Sequence, residues 1–432
     1  MITARDMMPA PAFAAARSPA STVAPAQTGR REQFLHFSIW LTMLASCVAI
    51  IEPSPHDFLM GPLLLVCLIA GVRFERTFVP LFLLLLVWNI GGLLSLMNIA
   101  GDSKAIQYTA TSIYLSLAAM IFACVLARNT EDRLNALARG YIAAAFIAAV
   151  TGMMGYFNIP RGAYDLFTLY GRADGMFKDP NVFGPYLIWP ALFISARMLA
   201  VRITLRGCFL ICVIAGGLFL SFSRGAWMHF AVSATIMVLL MFVTAPNQQS
   251  RIRLILIAAV GLFFLVALVG ILLSIDSVRE LFLNRANAIN PYDVGQGGRF
   301  QLQELAIGQV LDSPNGMGPF EFAREFGLQQ HNVYLQGFLV YGWIGGTAYI
   351  LMLLVTLLVG LRSVLIATPW QLGAITAFGA FVGEVGEGMV IDTDHWRHFF
   401  LLLGMVWGFA AATRNHVLQQ RQAVSASAYR AA

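Results

Sequence analysis

Runs of about 20 apolar residues recur along the whole chain, and they constrain its fold more than any other feature. A helix of this length spans the hydrocarbon core of a bilayer and satisfies its own backbone hydrogen bonds in lipid. Charged residues make up only 12% of the chain, whereas about 25% is typical of soluble domains. The sequence therefore predicts an all-α, polytopic membrane protein.

Twelve segments have this composition, and each is expected to form a transmembrane helix, the shorter ones with some tilt or local thinning of the bilayer. Nine lie within residues 30–275 and three within residues 331–415. Their ranges are 34–51, 58–72, 78–100, 107–127, 139–157, 183–198, 206–220, 226–243, 254–274, 332–361, 371–390 and 396–412.

The arginines of the short loops predict the orientation. If the helices alternate in direction, nearly all of these arginines, from Arg30 to Arg414, fall on one side of the membrane. The positive-inside rule assigns that side, and both termini, to the cytoplasm. The net charge of +6 then reflects orientation, and no nucleic-acid partner is expected. Residues 1–29 are expected to be a disordered cytoplasmic tail, and residues 416–432 a second tail.

One long polar segment, residues 276–330, interrupts the apolar pattern on the outer side. It contains four arginines and a Pro- and Gly-rich turn at residues 312–319. The arginines are Arg279, Arg285, Arg299 and Arg324. Such a segment can be a structured connection between two helices, but long loops in membrane proteins often carry function. We predict a large outer loop that takes part in the chemistry.

The segment at residues 171–184, GRADGMFKDPNVFG, is a turn-rich entry to a helix. Asp179 or Asn181 can cap that helix, and Pro180 suits its first turn, so these three residues have a structural explanation. Arg172 and Lys178 are not explained by capping. On the outer side they do not help membrane insertion, and they are candidates for contact with phosphate.

A second motif, SFSRGAW at Ser221–Trp227, places Arg224 in a very short turn between two membrane helices. A charge at membrane depth is costly unless it is paired or faces a water-filled cavity. The alternative is an arginine that extends to the interface. The neighbouring Gly225 would let a ligand approach the backbone closely, which favours a functional role.

The third motif joins Gly297-Gly298-Arg299 to the helix that begins HNVYLQ at His331. A histidine at a helix N-terminus tends to stay neutral, because the helix dipole disfavours its protonated form, and it can then accept a proton. The alternative is that Asn332 is an ordinary helix cap and His331 simply precedes it. The arginine-rich loop and the nearby Tyr334 favour the functional interpretation.

A weaker cluster of acids and histidines follows the eleventh predicted helix. Its members are Glu384, Glu387, Asp392, Asp394, His395, Arg397 and His398. These acids can pair with the outer arginines or receive sugar hydroxyls. The histidine spacing is too loose for a metal site, and no metal is expected. The five cysteines lie inside apolar runs and have neither zinc spacing nor a disulfide framework.

In this order, the motifs resemble the O-antigen ligase and Wzy-type polysaccharide polymerase superfamily. The resemblance rests on the 171–184 segment, on Ser221–Trp227, on Gly298-Arg299, and on residues 314–346 with their Pro/Gly turn and HNVYLQ sequence. It extends over residues 171–349. It implies a GT-C-like fold in the bacterial inner membrane, with the large loop in the periplasm.

The resemblance also implies transfer of a glycan from an undecaprenyl-pyrophosphate carrier at the periplasmic face, without a nucleotide sugar or other cofactor. Arg172, Arg224 and Arg299 would clamp the pyrophosphate, since guanidinium groups stabilise its developing charge. His331 would orient or deprotonate the attacking hydroxyl. Further candidate substrate-binding residues are Lys178, Asn332, Tyr334 and Glu387. No carboxylate stands out as a covalent nucleophile, so an inverting, metal-independent reaction is expected.

The leading hypothesis is a polymerase for a secreted polysaccharide, which takes two lipid-linked glycans as donor and acceptor. A flippase and a chain-length regulator of the same pathway would be its partners. Alternatives are a ligase that transfers a finished chain to lipid A-core, and a protein O-glycosyltransferase. A glycolipid flippase is a candidate of another class, but it would need mid-span polar groups and broken helices in related halves.

Overall fold

The computed structural model describes residues 29–286 and 298–431. All but the last residue of the predicted N-terminal tail therefore lies outside the described residues. Gly297 of the third motif, and residues 287–297 of the predicted outer loop, lie outside them as well.

Helices form nearly all of the described structure, so the all-α prediction is confirmed. The bounds are α1 (Arg30–Ala45), α2 (Pro55–Ile69), α3 (Val79–Leu96), α4 (Ser103–Leu126), α5 (Thr130–Tyr156), α6 (Ala163–Phe167), α7 (Pro180–Tyr186), α8 (Ile188–Ala200), α9 (Leu205–Leu220), α10 (Arg224–Val243), α11 (Gln248–Leu273), α12 (Asp276–Ala286), α13 (Arg299–Asp312), α14 (Glu321–Phe326), α15 (Val333–Val364), α16 (Gln371–Glu387) and α17 (Arg397–Ala431). Two 3-10 helices, Arg76–Phe78 and Met97–Ile99, flank α3, and β1 (Thr168–Leu169) pairs antiparallel with β2 (Arg172–Ala173).

Each of the twelve predicted segments is helical, and seven helical stretches are long and apolar enough to cross a membrane. They are Arg76–Leu96, Ser103–Leu126, Thr130–Tyr156, Pro180–Ala200, Arg224–Val243, Gln248–Leu273 and Val333–Val364. The chain is a multi-pass membrane protein. Twelve spans stay a prediction, because α17 is not among the seven, and α1, α2, α9 and α16 have only 15 to 17 residues. At 1.5 Å per residue such helices are about 25 Å long, less than the roughly 30 Å hydrocarbon core.

The predicted outer loop contains helices α12, α13 and α14, and it packs on the following helix. Leu302 and Ala306 of α13 form a small buried cluster with Phe322 and Leu339. This explains the amphipathic character of the segment: its apolar face covers α15. The loop is therefore a folded part of the protein over its described residues.

The Pro/Gly turn of this loop fits into a kink of α15 at Gly342. This glycine has φ +66, and a Cβ there would come within 2.8 Å of the Pro314 carbonyl oxygen. The kink frees two backbone groups, and the turn binds both. The Trp343 N–H donates to the Pro314 carbonyl at 2.8 Å, and the Leu339 carbonyl accepts from Met317 N–H at 2.7 Å. The turn thereby anchors the loop to the helix that follows His331.

Helix α17 extends further than the sequence pattern predicts. Its apolar run was expected to end at residue 412, but the helix continues to Ala431. Residues 413–431 contain no proline or glycine and are rich in alanine, glutamine and arginine, which favour helix. The loss of apolar character marks the end of burial, not the end of the helix.

Candidate functional site

Arg172 is a buried residue of β2 that connects three segments at one end of the helix bundle. Its Nε donates to the Ser221 carbonyl at 2.8 Å, and its Nη2 donates to Oδ1 of Asn181 at 2.7 Å. The Asn181 backbone N–H in turn donates to Asp179, the N-cap of α7, at 2.7 Å. Arg172 therefore joins the hairpin and α7 to the turn that carries Arg224.

The turn between α9 and α10 fixes the position of Arg224. Phe222 has a left-handed backbone, with φ +46, and is fully buried against Tyr156, Phe219 and Trp227. A bulky side chain rarely adopts this conformation, so the packing must hold it there. Ser223 caps α10 by accepting from the Ala226 N–H at 3.3 Å. Arg224 is consequently the first residue of α10, on a rigid turn.

Glu387 lies buried beneath this turn. A Cβ on Gly225 would come within 2.7 Å of its Oε1, so a larger residue there would require the carboxylate to shift. Its Oε2 lies 2.8 Å from Nδ1 of His229, and the His229 Nε2 donates to the Ala380 carbonyl at 2.9 Å. Both side chains are only 1% exposed. Glu387 is therefore located directly under the turn that carries Arg224. Its contact with substrate stays a prediction.

His331 stands immediately before α15 with a strained backbone. Its φ is +50, a conformation that is uncommon outside glycine. Its Nδ1 lies 3.8 Å from Oδ2 of Asp392. Burial of the half-buried ring and the nearby charge of Arg299 lower the pKa of His331, while Asp179 opposes them. The imidazole is therefore neutral at pH 7 and able to accept a proton.

Asn332 and Tyr334 connect α15 to the end of α16. Asn332 is the N-cap of α15, accepting from Tyr334 N–H at 3.0 Å and from Leu335 N–H at 3.1 Å. Its Nδ2 donates to the Met389 carbonyl at 3.2 Å, and the Tyr334 hydroxyl donates to the Val385 carbonyl at 2.6 Å. Their polar groups thus have structural partners. A role in substrate binding stays a prediction for both residues.

Asp392 was grouped by sequence only with the loose acidic cluster, and its proximity to His331 was not predicted. Burial, together with the charge of Asp394, raises the pKa of Asp392 to about 7, although Arg299 acts in the opposite direction. The charge of Arg299 therefore acts on both His331 and Asp392. The sequence offers no signal for this pairing, because Asp392 follows α16 and His331 precedes α15.

A network of hydrogen bonds holds the Asp392 segment in place. Gln330 Nε2 donates to Gln336 Oε1 at 2.6 Å, and Gln336 Nε2 donates to the Tyr108 hydroxyl at 3.1 Å. That hydroxyl donates to Asp394 Oδ2 at 2.7 Å. Burial acts to raise the pKa of Asp394, but His395 and the Tyr108 hydrogen bond together lower it. The network thus fixes Gln330, which precedes His331, and Asp394, which lies two residues after Asp392.

The structure thus brings Arg172, Arg224, Arg299 and His331 to the same end of the bundle. Arg172 binds the turn that carries Arg224, and this turn lies over Glu387 at the end of α16. The next residue, Gly388, accepts a hydrogen bond from the Val333 N–H at 2.8 Å, at the start of α15. Arg299 is close enough to His331 to affect its pKa.

Lys178 is not part of this group. Its Nζ pairs with Glu52 Oε1 at 2.9 Å, and both side chains are about half exposed. It lines a cavity of about 140 Å³ whose wall contains none of the three arginines and not His331. The outer-loop residues Arg279 and Arg324 form ion pairs with Asp276 and Asp102.

Metal binding has no obvious site in the described ranges, 29–286 and 298–431: no three His, Cys, Asp or Glu side chains there are grouped to hold an ion. The two histidines of the weak cluster face separate acids. His395 lies 3.2 Å from Asp394, and His398 lies 3.2 Å from Glu384.

Comparison with known proteins gives one family match. Residues 208–350 match the Wzy_C family model, described as O-Antigen ligase. The matched segment contains Arg224, Arg299 and His331, whereas Arg172 precedes it and Asp392 follows it. No curated protein matches the chain. The similarity of this membrane protein to the Wzy_C family therefore covers residues 208–350, which include α10, α13 and the first part of α15.

Proposed function

We propose that this protein is a polysaccharide polymerase of the bacterial inner membrane. It transfers the growing glycan from undecaprenyl pyrophosphate onto the next lipid-linked repeat unit, at the periplasmic face. Twelve membrane helices, cytoplasmic termini and a folded periplasmic loop complete the proposal. The observation that carries it is the location of three arginines and a neutral histidine at one end of the bundle, next to the folded loop.

The proposed reaction is a direct displacement at the anomeric carbon of the donor glycan. The acceptor hydroxyl oxygen forms the new glycosidic bond, and the bond between the anomeric carbon and the phosphate oxygen breaks. The hydroxyl proton passes to the imidazole of His331, and undecaprenyl pyrophosphate leaves with the bonding electrons. A single displacement without a covalent glycosyl-enzyme intermediate inverts the configuration at the anomeric carbon.

The arginines have the complementary task of stabilising the leaving group. The departing pyrophosphate gains negative charge as the bond breaks, and planar guanidinium groups bind phosphate oxygens in two-pronged contacts. Charges held by a rigid scaffold need little reorganisation during the reaction. The hydrogen bonds of Arg172 and the strained, buried turn before Arg224 supply this rigidity.

Asp392 is expected to give the reaction a pH dependence. Its carboxylate, 3.8 Å from His331, stabilises the imidazolium that forms as the proton is taken up. The pKa of Asp392 is raised to about 7, so this charge is present above that pH and is lost as the pH falls through it. We expect kcat/KM to fall between about pH 8 and pH 6, and Asp392→Asn to remove this limb. Identical pH profiles for both proteins would contradict the role of Asp392.

The second candidate function is that of an O-antigen ligase, and the description of the matched family favours it. The two differ in their acceptor: a lipid-linked repeat for a polymerase, lipid A-core for a ligase. Deletion of the gene followed by analysis of the lipid-linked glycans distinguishes them. We expect single repeat units to accumulate on the carrier. Full-length chains stranded on the carrier would instead establish a ligase.

A transporter of lipid-linked glycans is less well supported. The described buried acids and histidines in the helices lie near helix ends, as with His229 in the second turn of α10 and Glu384 in the last turn of α16. Transport sites typically place such groups near the bilayer midplane, at broken helices. The arrangement suits chemistry at the membrane surface better than passage through it.

A further inference from the structure

The cavity that contains Lys178 is a second polar site at this end of the bundle. It lies between the end of α1, the start of α2, the middle of α5, the helix α7 and the start of α17, and has a volume of about 140 Å³. Its wall combines aromatic rings with polar side chains. Phe177, Tyr186 and Trp396 supply rings, and Ser46, Lys178 and Arg397 supply polar groups.

The charges in and near this wall are balanced. Lys178 pairs with Glu52 at 2.9 Å, and Arg397 donates two hydrogen bonds to Asp57, from Nε at 2.8 Å and from Nη2 at 2.6 Å. A pyrophosphate would need excess positive charge, which these pairs do not provide. Alternating donors and acceptors match hydroxyl groups, each of which can donate and accept. Aromatic faces add apolar surface for the C–H groups of a sugar ring.

Two buried histidines in the wall each face an acid. His56 and His398 are each only 4% exposed. Nδ1 of His56 lies 3.6 Å from Asp57 Oδ1, and Nε2 of His398 lies 3.2 Å from Glu384 Oε1. Polar pairs of this kind suit a sugar hydroxyl, which can donate to the acid and accept from the ring.

Two chain segments connect this cavity with the candidate active site. Asp392 is 3.8 Å from His331, and His395, three residues later, lines the cavity. Three residues span at most about 11 Å. On the opposite side, Asp179 affects the pKa of His331, and the preceding residue, Lys178, lines the cavity. The cavity therefore adjoins the Asp392 and His331 side of the site, and its wall does not include Arg172.

We propose that this cavity binds one sugar residue of the acceptor glycan. The inference rests on the proposed glycan transfer and assigns the acceptor to a place in the structure. The acceptor hydroxyl must reach His331, and the cavity lies on that side of the site. The donor pyrophosphate occupies the arginine side. Helix α7 then borders both substrates, because its Asn181 binds Arg172 and its Val182 and Tyr186 line the cavity.

Kinetics with purified protein test this assignment. Lys178→Ala should raise the KM for a lipid-linked acceptor glycan about tenfold, the effect of losing one charge-assisted hydrogen bond, and leave the KM for the donor within about twofold. Trp396→Phe should raise the acceptor KM as well. Lys104→Ala is the matched control, because Lys104 is the only other lysine and is exposed at the start of α4. It should leave both KM values unchanged.

The outcomes separate the inference from the function on which it rests. If the wild type transfers glycan and Lys178→Ala leaves the acceptor KM unchanged, or raises the donor KM instead, the acceptor site is overturned and the proposed function stands. If the wild type transfers no glycan to any lipid-linked acceptor, the proposed function fails, and the acceptor site fails with it.

Discussion

Replacing His331 by asparagine is expected to lower kcat for glycan transfer by about 10²- to 10⁴-fold, the usual contribution of a general base. Asparagine suits this position because it tolerates the left-handed backbone, φ +50 at His331, better than most residues. The variant therefore removes the imidazole with little added strain. Initial rates with a synthetic lipid-pyrophosphate oligosaccharide measure the effect.

The control for His331→Asn is a test of whether the variant folds and inserts into the membrane normally. Its thermal unfolding midpoint and its amount in the membrane should match those of the wild type, because the Asn332 cap and the Tyr334 hydrogen bond are untouched. A variant that folds normally and transfers glycan at the wild-type rate would remove His331 from the mechanism.

Arg224→Ala has the second large expected effect, a loss of about 10²- to 10³-fold in kcat, as when one preorganised donor to a developing anion is removed. Alanine is a good helix former, and the turn is held by Phe222 and Ser223, so the fold should persist. Arg224→Lys should recover only part of the rate, because lysine keeps the charge and loses the two-pronged geometry.

Arg279→Ala is the matched control for the arginine variants. Arg279 lies in α12 and is 53% exposed, in an ion pair with Asp276. Removing it changes the net charge as Arg224→Ala does, but Arg279 is exposed and its ion pair lies within α12. Equal rate losses in the two variants would indicate a general effect of charge and contradict a specific role for Arg224.

The helices could be predicted from the sequence because membrane insertion depends on local composition, which a single segment displays. Their ends were less predictable. Helix α17 continues past its apolar run, since helix propensity and hydrophobicity are separate properties. Whether a short helix such as α2 or α9 crosses the bilayer was also unpredictable. Its composition indicates contact with lipid, but not a complete span.

The candidate site was predictable only in part. Cations on the outer side are unexpected for insertion, and this signal identified Arg172, Arg224 and Arg299. It also grouped Lys178 with Arg172. The structure separates the two: Arg172 binds Ser221 and Asn181, whereas Lys178 pairs with Glu52 and lines the cavity. Sequence proximity gave no indication of this separation.

Partners from distant segments could not be found by the same reasoning. His229 lies inside an apolar run, where a single histidine resembles an ordinary core residue, and its contact with Glu387 depends on the packing of α10 against α16. Asp392 and His331 meet only because the segment after α16 folds over the start of α15. Such pairs are properties of the tertiary structure.

The most direct measurement of the central claim is the stoichiometry of the reaction in purified, reconstituted protein. A lipid-pyrophosphate oligosaccharide serves as donor and a second as acceptor, and both released undecaprenyl pyrophosphate and new glycosidic bonds are counted. We predict one carrier released for each bond formed, with both products lost in His331→Asn and Arg224→Ala. Movement of the intact glycolipid across the membrane without carrier release would contradict the account.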